Sequence, residues 1–168
     1  MSWTALLDST RTHAPEMEIA LRLVLASVAG GIVGLEREMR DRPAGLRTHM
    51  LTSLAAAVFT IITFEIFHAF RSIDPAASMD PIRIVEAVTA GVAFLGAGTI
   101  LRGDGSVKGL TTAASMWLAG ALGVACGAGL YTIAIMAVAL VVAILTGVRR
   151  LERRVTGKSA PAKERPAV

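Results

Sequence analysis

The stretch GGIVGLEREMRDRPAGLRT, residues 30–48, decides how the chain is organised. It starts inside an apolar segment, passes through a dense cluster of both charge signs, turns at Pro43-Ala44-Gly45 and continues into a second apolar segment at Leu46. Such an abrupt change from apolar to ionic sequence indicates that the chain leaves lipid and enters water. The stretch therefore predicts two membrane-spanning helices joined by a short turn at the bilayer surface.

The composition of the 168-residue chain agrees with a membrane protein. Hydrophobic residues make up 54% of it and its mean hydropathy is +0.60, whereas ordinary soluble domains are roughly 45–50% apolar. The long runs are apolar nearly all round, which disfavours a soluble bundle of amphipathic helices. The net charge of +4 lies in loops and the tail, and aromatic residues are only 5%. The pattern lacks a basic face for stacking bases, so nucleic acid is not expected as a partner.

Catalytic chemistry is not predicted. The single cysteine, Cys126, lies in an apolar segment, so we expect neither a disulfide framework nor a metal set. The three histidines, His13, His49 and His68, are too scattered along the chain to form a ligand set. The sequence shows no nucleophile and base arranged for catalysis. We therefore expect a protein that is not an enzyme and that holds no cofactor.

Five apolar segments predict an all-α, multi-pass transmembrane bundle. A polar or interfacial arm, residues 1–15, precedes this transmembrane domain of residues 16–148, and a basic cytoplasmic tail, residues 149–168, follows it. We expect the tail to be mostly disordered. The fifth segment is bulky and branched, which suits a peripheral position facing lipid. The predicted helices are residues 16–35, 46–70, 82–101, 111–127 and 130–148.

The distribution of lysine and arginine predicts the orientation. With five crossings, thirteen of the 17 basic residues fall on one side, in the first turn, the connector after helix three and the tail. The positive-inside rule then places the N-terminus outside and the C-terminus in the cytoplasm. The seven basic residues of the tail should attract anionic lipid, each by roughly 1 kcal/mol near the surface.

Rows of small residues mark two helices. In lipid, small side chains let backbones approach closely and gain van der Waals contact. We expect both rows to face a neighbouring helix, and we expect a membrane partner or a second copy of the chain to depend on them. The rows are Ala26, Gly30 and Gly34 in helix one, and Ser115, Ala119 and Gly123 in helix four.

The charged turn admits two interpretations. In the first, its basic residues hold the orientation of the hairpin and its acids balance them. In the second, Glu36 and Arg47, at the mouths of adjoining helices, form an ion-paired network against which other helices or a partner dock. Charges at the membrane edge are costly to place, which makes them functional candidates.

Glycine and basic residues cluster around the end of helix three and in the connector after it. Gly96 and Gly98, followed by Arg102 and Gly109, do not match a nucleotide-binding signature. They favour close helix packing, with Thr111 or Thr112 as a cap of helix four.

Glu65 and Glu86, at comparable depth near the outer ends of helices two and three, could attract a divalent cation such as Mg²⁺. The alternative is ordinary interface charge neutralised by Arg83 or His68.

Four blocks of this sequence closely resemble the MgtC/SapB family of bacterial inner-membrane proteins. They are GGIVGLERE, RPAGLRTHMLTSLAAAVFT, GVAFLGAGTILR and VKGLTTAASMWLAGALGVACGAGLY, in this order. The resemblance covers the transmembrane part of the family, and no soluble C-terminal domain is expected after helix five. The family's signature positions correspond here to Gly34, Glu36, Arg37, Pro43, Gly45, Leu46, Arg47, Thr48, Gly96, Gly98, Arg102, Gly109, Leu110, Thr112 and Ala113.

The resemblance implies a link to acclimation to low magnesium in the bacterial cytoplasmic membrane. It also implies a regulatory role through contact with a membrane partner such as the F-type ATP synthase. Small-residue rows outnumber charges within the spans, and the sequence places no acid at mid-depth to relay an ion. Our leading hypothesis is therefore helix–helix interaction with a partner. The alternative is a magnesium transporter or channel that uses Glu65 and Glu86.

Overall fold

The computed structural model describes residues 12–76, 78, 80, 82–103 and 106–156, with side-chain surroundings up to Val148. Within these ranges the chain forms five helices and one short β-hairpin. Most of the predicted N-terminal arm (residues 1–11) and the end of the tail (residues 157–168) lie outside the described residues. The elements are α1 (Glu16–Glu38), α2 (Leu46–Ile73), α3 (Ile82–Ala97), β1 (Leu101–Gly103), β2 (Ser106–Lys108), α4 (Leu110–Gly127) and α5 (Tyr131–Thr156).

Four of these helices are long and apolar enough to cross a membrane. They are α1, α2, α4 and the Tyr131–Val148 part of α5. The third helix in chain order, α3, is also expected to cross, but it has only 16 residues, or about 24 Å at the helical rise, against a hydrocarbon core of roughly 30 Å. The predicted class, a helical membrane protein, is confirmed. The number of five crossings and the orientation stay predictions.

The chain leaves α3 earlier than the sequence suggested, and the connector after it is not a plain loop. The backbone N–H of Thr99 donates to the Gly96 carbonyl at 2.9 Å and closes the helix just past Ala97. The chain then forms an antiparallel hairpin in which Arg102 pairs with Val107. Glycine at positions 96 and 98 lowers helix propensity, so the backbone can leave the helix there.

Contacts along α2 fix the relative directions of the helices. Ser115 lies beside His49 near the start of α4 and α2, and Gly127 lies beside Ala57 further along both, so these two helices run parallel. The neighbouring helices α1 and α3 run antiparallel to them. The turn between α1 and α2, the hairpin and residues 144–148 of α5 consequently meet at one end of the bundle, here called the turn end.

The core is narrow and lies where α1, α2 and α4 meet. Its largest fully buried side chains include Leu122 and Val33. At the edge of the bundle, α5 leaves Ile135 and Leu140 exposed, in agreement with the peripheral position that its branched composition predicted. It also continues as a helix to Thr156, into the first part of the segment expected to be mostly disordered.

Candidate functional site

The end of α1 buries an ion cluster. Glu36 is 9% exposed and Arg37 is 4% exposed, and their Oε2 and Nη1 atoms are 3.5 Å apart. The other Glu36 oxygen pairs with Nε of Arg40, one helical turn further on. Buried charges must be paired because desolvation costs several kcal/mol per ion. One carboxylate thus serves two guanidinium groups at the turn end of the bundle.

The expected pair between Glu36 and Arg47 is wrong for the side chains that the structure describes. Arg47 is exposed on α2, and the ion-pair partners of Glu36 are Arg37 of its own helix and Arg40, two residues past the end of α1. The spacing explains this result, because residues i and i+4 lie on the same face of a helix. The ion cluster therefore stiffens the end of α1 and does not bridge the two helices.

A second carboxylate, that of Glu38 at the end of α1, does link α1 to α2. It accepts a hydrogen bond from the backbone N–H of Leu46 at 3.0 Å, which satisfies one of the free N–H groups that begin a helix. A side chain at Gly45 would overlap this carboxylate. Asp41 completes the turn with a φ of 51°, a conformation that Asp tolerates better than most residues.

A buried polar network joins α2 to α4 just beyond the turn. His49 is fully buried, with Nδ1 2.8 Å from the Gly45 carbonyl oxygen and Nε2 3.0 Å from Oγ of Ser115. A carbonyl can only accept, so Nδ1 carries the proton. In a neutral ring Nε2 can only accept, so the single proton of the Ser115 hydroxyl is directed either at Nε2 or at the Thr112 carbonyl oxygen, 2.9 Å away.

His49 is the residue that sequence reasoning missed. The three histidines are far apart in the chain, and nothing in that spacing reveals a serine 66 residues away from His49. The signal that could have identified His49 is its position four residues after Gly45, near the start of the second apolar segment. A histidine inside lipid needs partners for its ring nitrogens.

The rows of small residues pack within the chain. A Cβ on Gly30 would lie 2.7 Å from Cβ of Ser53, and Gly34 is as close to the start of α2. On the other side of Ser53, a Cβ on Gly123 would overlap the backbone of α2. The remaining members of the rows, Ala26, Ser115 and Ala119, are also buried. Both rows therefore face a neighbouring helix, as expected, but that helix is α2 of the same chain, so the rows are not free to contact a partner.

The second group of family positions shapes the hairpin and the start of α4. Gly96 lies against Ala113 of α4. Gly109 has a φ of 90°, in the left-handed region, and precedes α4 without a side-chain cap, so the expected cap by Thr111 or Thr112 is wrong. Thr112 is 2% exposed. Among the other positions, Leu46 and Thr48 are half-buried and Pro43, Arg47, Gly98 and Arg102 are exposed.

Glu65 and Glu86 have different surroundings. Both Glu65 oxygens accept backbone N–H groups, from His13 and from Ala14 at 3.0 Å, so this carboxylate ties the N-terminal segment to α2. Glu86 is exposed on α3 and does not line the cavity around Glu65. Among the residues that the structure describes, no three His, Cys, Asp or Glu side chains converge as metal ligands.

The fold and this site define a helical membrane protein whose first helix ends in a buried ion cluster and whose helices meet through glycine. Residues 23–154 match the MgtC family, so the chain belongs to it, as the four sequence blocks indicated. No solved structure matches the chain.

Several curated relatives are similar to the chain. One is "Putative magnesium transporter YhiD" of Escherichia coli K12, 39% identical over 84% of this chain and 66% of the relative. Protein SrpB of Synechococcus elongatus is 36% identical over 80% of this chain and 77% of its own length. Protein MgtC of Brucella abortus is 39% identical over 77% of this chain and 51% of its own length. The chain thus spans about half to three quarters of these relatives.

Proposed function

We propose that this chain is a non-enzymatic protein of the bacterial cytoplasmic membrane, linked to magnesium limitation, that acts by contact with a membrane partner. Membership of the MgtC family and the name of the YhiD relative support the link to magnesium. The partner classes are a membrane complex such as the F-type ATP synthase, which the family resemblance suggests, and a second copy of the chain.

The direction of the helices supports five crossings. Since α2 and α4 run parallel, the segment between them has to return across the bilayer, and α3 with the hairpin supplies that return. Thirteen basic residues on one side of such a path support a cytoplasmic C-terminus and an N-terminus outside. Reporters that work on one side of the membrane only, fused to each end, test this; both ends on the same side would contradict it.

One observation carries the proposed partner contact. An apolar groove of about 680 Å³ lies between α2 and α3, lined by Ala55, Phe59, Ala87 and Gly91 among others. A Cβ on Gly91 would meet no atom within 4 Å. Small residues beside an open groove are what a partner's transmembrane helix needs for close backbone approach. This groove, rather than the covered rows in α1 and α4, is the surface that we assign to the partner.

The test is crosslinking in native membranes followed by purification of the chain. Gly91→Leu fills the groove, and Gly147→Leu is the matched control because that glycine on α5 is equally open. We expect at least a fivefold lower recovery of the crosslinked partner with Gly91→Leu and unchanged recovery with Gly147→Leu. Equal recovery from the two variants would remove the groove as the contact surface.

Magnesium transport is the alternative, and the name of the YhiD relative favours it. Purified protein in liposomes decides between the two functions. Magnesium flux that Glu86→Gln abolishes would support an outer cation site and displace the partner proposal. Since both oxygens of Glu65 are occupied by backbone N–H groups, Glu86 is the variant that separates transport from folding.

A further inference from the structure

A basic cavity of about 650 Å³ opens at the turn end of the bundle. Its walls come from the turn after α1, the second strand of the hairpin, the start of α4 and the α5 segment at residues 144–148. Four of its lining residues are cationic: Arg37, Arg40, Arg42 and Lys108. Among the described residues that line it, none is acidic. The cavity is therefore built to receive negative charge.

Arg37 is the group that points to a ligand. It is 4% exposed and lines the cavity, yet its Nε atom has no hydrogen-bond partner. Its ion-pair partner, Glu36, is shared with Arg40. A buried guanidinium normally uses its donors, because an unsatisfied charged donor carries its full desolvation cost. An anion in the cavity would supply the missing acceptor.

The start of α4 adds a second, independent source of positive potential. The first intrahelical bond runs from the Ala113 N–H to the Gly109 carbonyl at 2.9 Å, so the N–H groups of residues 110–112 have no acceptor within the helix. Gly109 provides no side-chain cap. Free N–H groups and the helix dipole together favour phosphate at this position. Residues 109–112 line the same cavity as the arginines.

The third wall is apolar. Ile144, Leu145 and Val148 of α5 also line the cavity, and Ile144 is exposed at the surface of the bundle. A phospholipid can place its phosphate against the cationic residues and an acyl chain against the apolar ones. A free phosphate can contact only the cationic residues.

We propose that this cavity binds a phosphate group, and the apolar wall favours an anionic phospholipid headgroup over free phosphate as its source. The site is distinct from the general attraction of the basic tail for anionic lipid. It also stands independently of the proposed partner contact, since none of the residues that line it borders the groove between α2 and α3.

The test compares two double variants of the full chain purified in neutral detergent. Arg42→Gln with Lys108→Gln removes two exposed cations that line the cavity. Arg47→Gln with Arg102→Gln removes two exposed cations near the same end that do not line it, so the net charge of both proteins is the same. Native mass spectrometry measures binding of phosphatidylglycerol and phosphatidylcholine, and inorganic phosphate is titrated as a competitor.

We expect the cavity variant to bind phosphatidylglycerol about tenfold more weakly, since charge-assisted hydrogen bonds are the strong ones, and the control less than twofold more weakly. Inorganic phosphate that displaces the lipid at millimolar concentration would support the site, and binding of phosphate without a lipid preference would assign the free anion as its ligand. Equal losses in the two variants, equal binding of phosphatidylcholine, or no binding of either phosphate source would overturn the proposal. Should the double variant fail to fold, Arg42→Gln against Arg47→Gln gives the same comparison.

Discussion

Replacing Gly30 with alanine tests the close approach of α1 and α2. The added Cβ would lie 2.7 Å from Cβ of Ser53 and closer still to the backbone carbonyl oxygen of His49. Carbon atoms in ordinary contact are about 3.5–4.0 Å apart, so the two helices would have to separate by roughly 1 Å. Neither contacting atom is the far end of a flexible side chain, so a change of rotamer cannot relieve the overlap.

The expected magnitude follows from two opposing effects. Overpacking a core costs about 1–3 kcal/mol, or more where the backbone must move, while alanine gains up to about 1 kcal/mol of helix propensity over glycine. We expect Gly30→Ala to lower the free energy of unfolding by about 2 kcal/mol. At about 2–4 °C per kcal/mol for a chain of this size, the melting temperature should fall by roughly 4–8 °C.

The assay is thermal unfolding of purified protein in a single detergent, with Gly91→Ala as the matched control. Gly91 is also in a helix interior, but a Cβ there would meet no atom within 4 Å. Its melting temperature should stay the same or rise, because only the propensity gain applies. If both variants shift alike, close contact between α1 and α2 is not what glycine provides at position 30.

Three further substitutions probe the turn end and the N-terminal segment. Gly109→Ala should lower the free energy of unfolding by about 1–3 kcal/mol, because this position has a φ of 90°; thermal unfolding measures it. Ser115→Ala should cost about 1–3 kcal/mol, because it leaves Nε2 of the buried His49 unpaired; the same assay applies. Glu65→Ala should speed limited proteolysis before α1 with little change in melting temperature, because it frees the Ala14 N–H at a partly exposed site.

Each of these substitutions has a control that makes the same chemical change at a position without the contact. Gly103→Ala adds a Cβ where no atom lies within 4 Å, and Ser72→Ala removes an exposed hydroxyl that bonds only to its own helix. Glu86→Ala removes an exposed carboxylate from α3. A loss in any control as large as in its test variant would contradict the contact assigned to that residue.

The local sequence pattern was enough to predict the apolar helices and which of their residues face a neighbouring helix. The apolar runs that gave α1, α2, α4 and α5 are long, and their ends coincide with charge, proline or glycine. The row containing Gly30 could be recognised because small residues four apart lie on one face of a helix. What the row contacts could not be read in the same way, since that depends on how α2 is aligned against α1.

The features that sequence reasoning missed depend on alignment between distant elements. One of the two interpretations of the turn pairs Glu36 with Arg47, whereas its partner is the nearer Arg40, just past the end of α1. His49 meets Ser115 only because α2 and α4 run parallel with matched ends. The hairpin after α3 was expected as a loop, since three-residue strands carry too few residues for a recognisable alternation.

Because α2 covers both rows of small residues, substitutions in these rows cannot test for contact with a partner. A leucine side chain at position 30 would overlap α2 of the same chain. Loss of partner binding in the Gly30→Leu variant would therefore report misfolding. Only an open position separates the two effects, because its substitution leaves the internal packing intact. Gly91 meets that condition and lies in the groove between α2 and α3. If partner binding is retained in Gly91→Leu but lost in Gly30→Leu, the binding depends on the intact fold and the groove is not the contact surface.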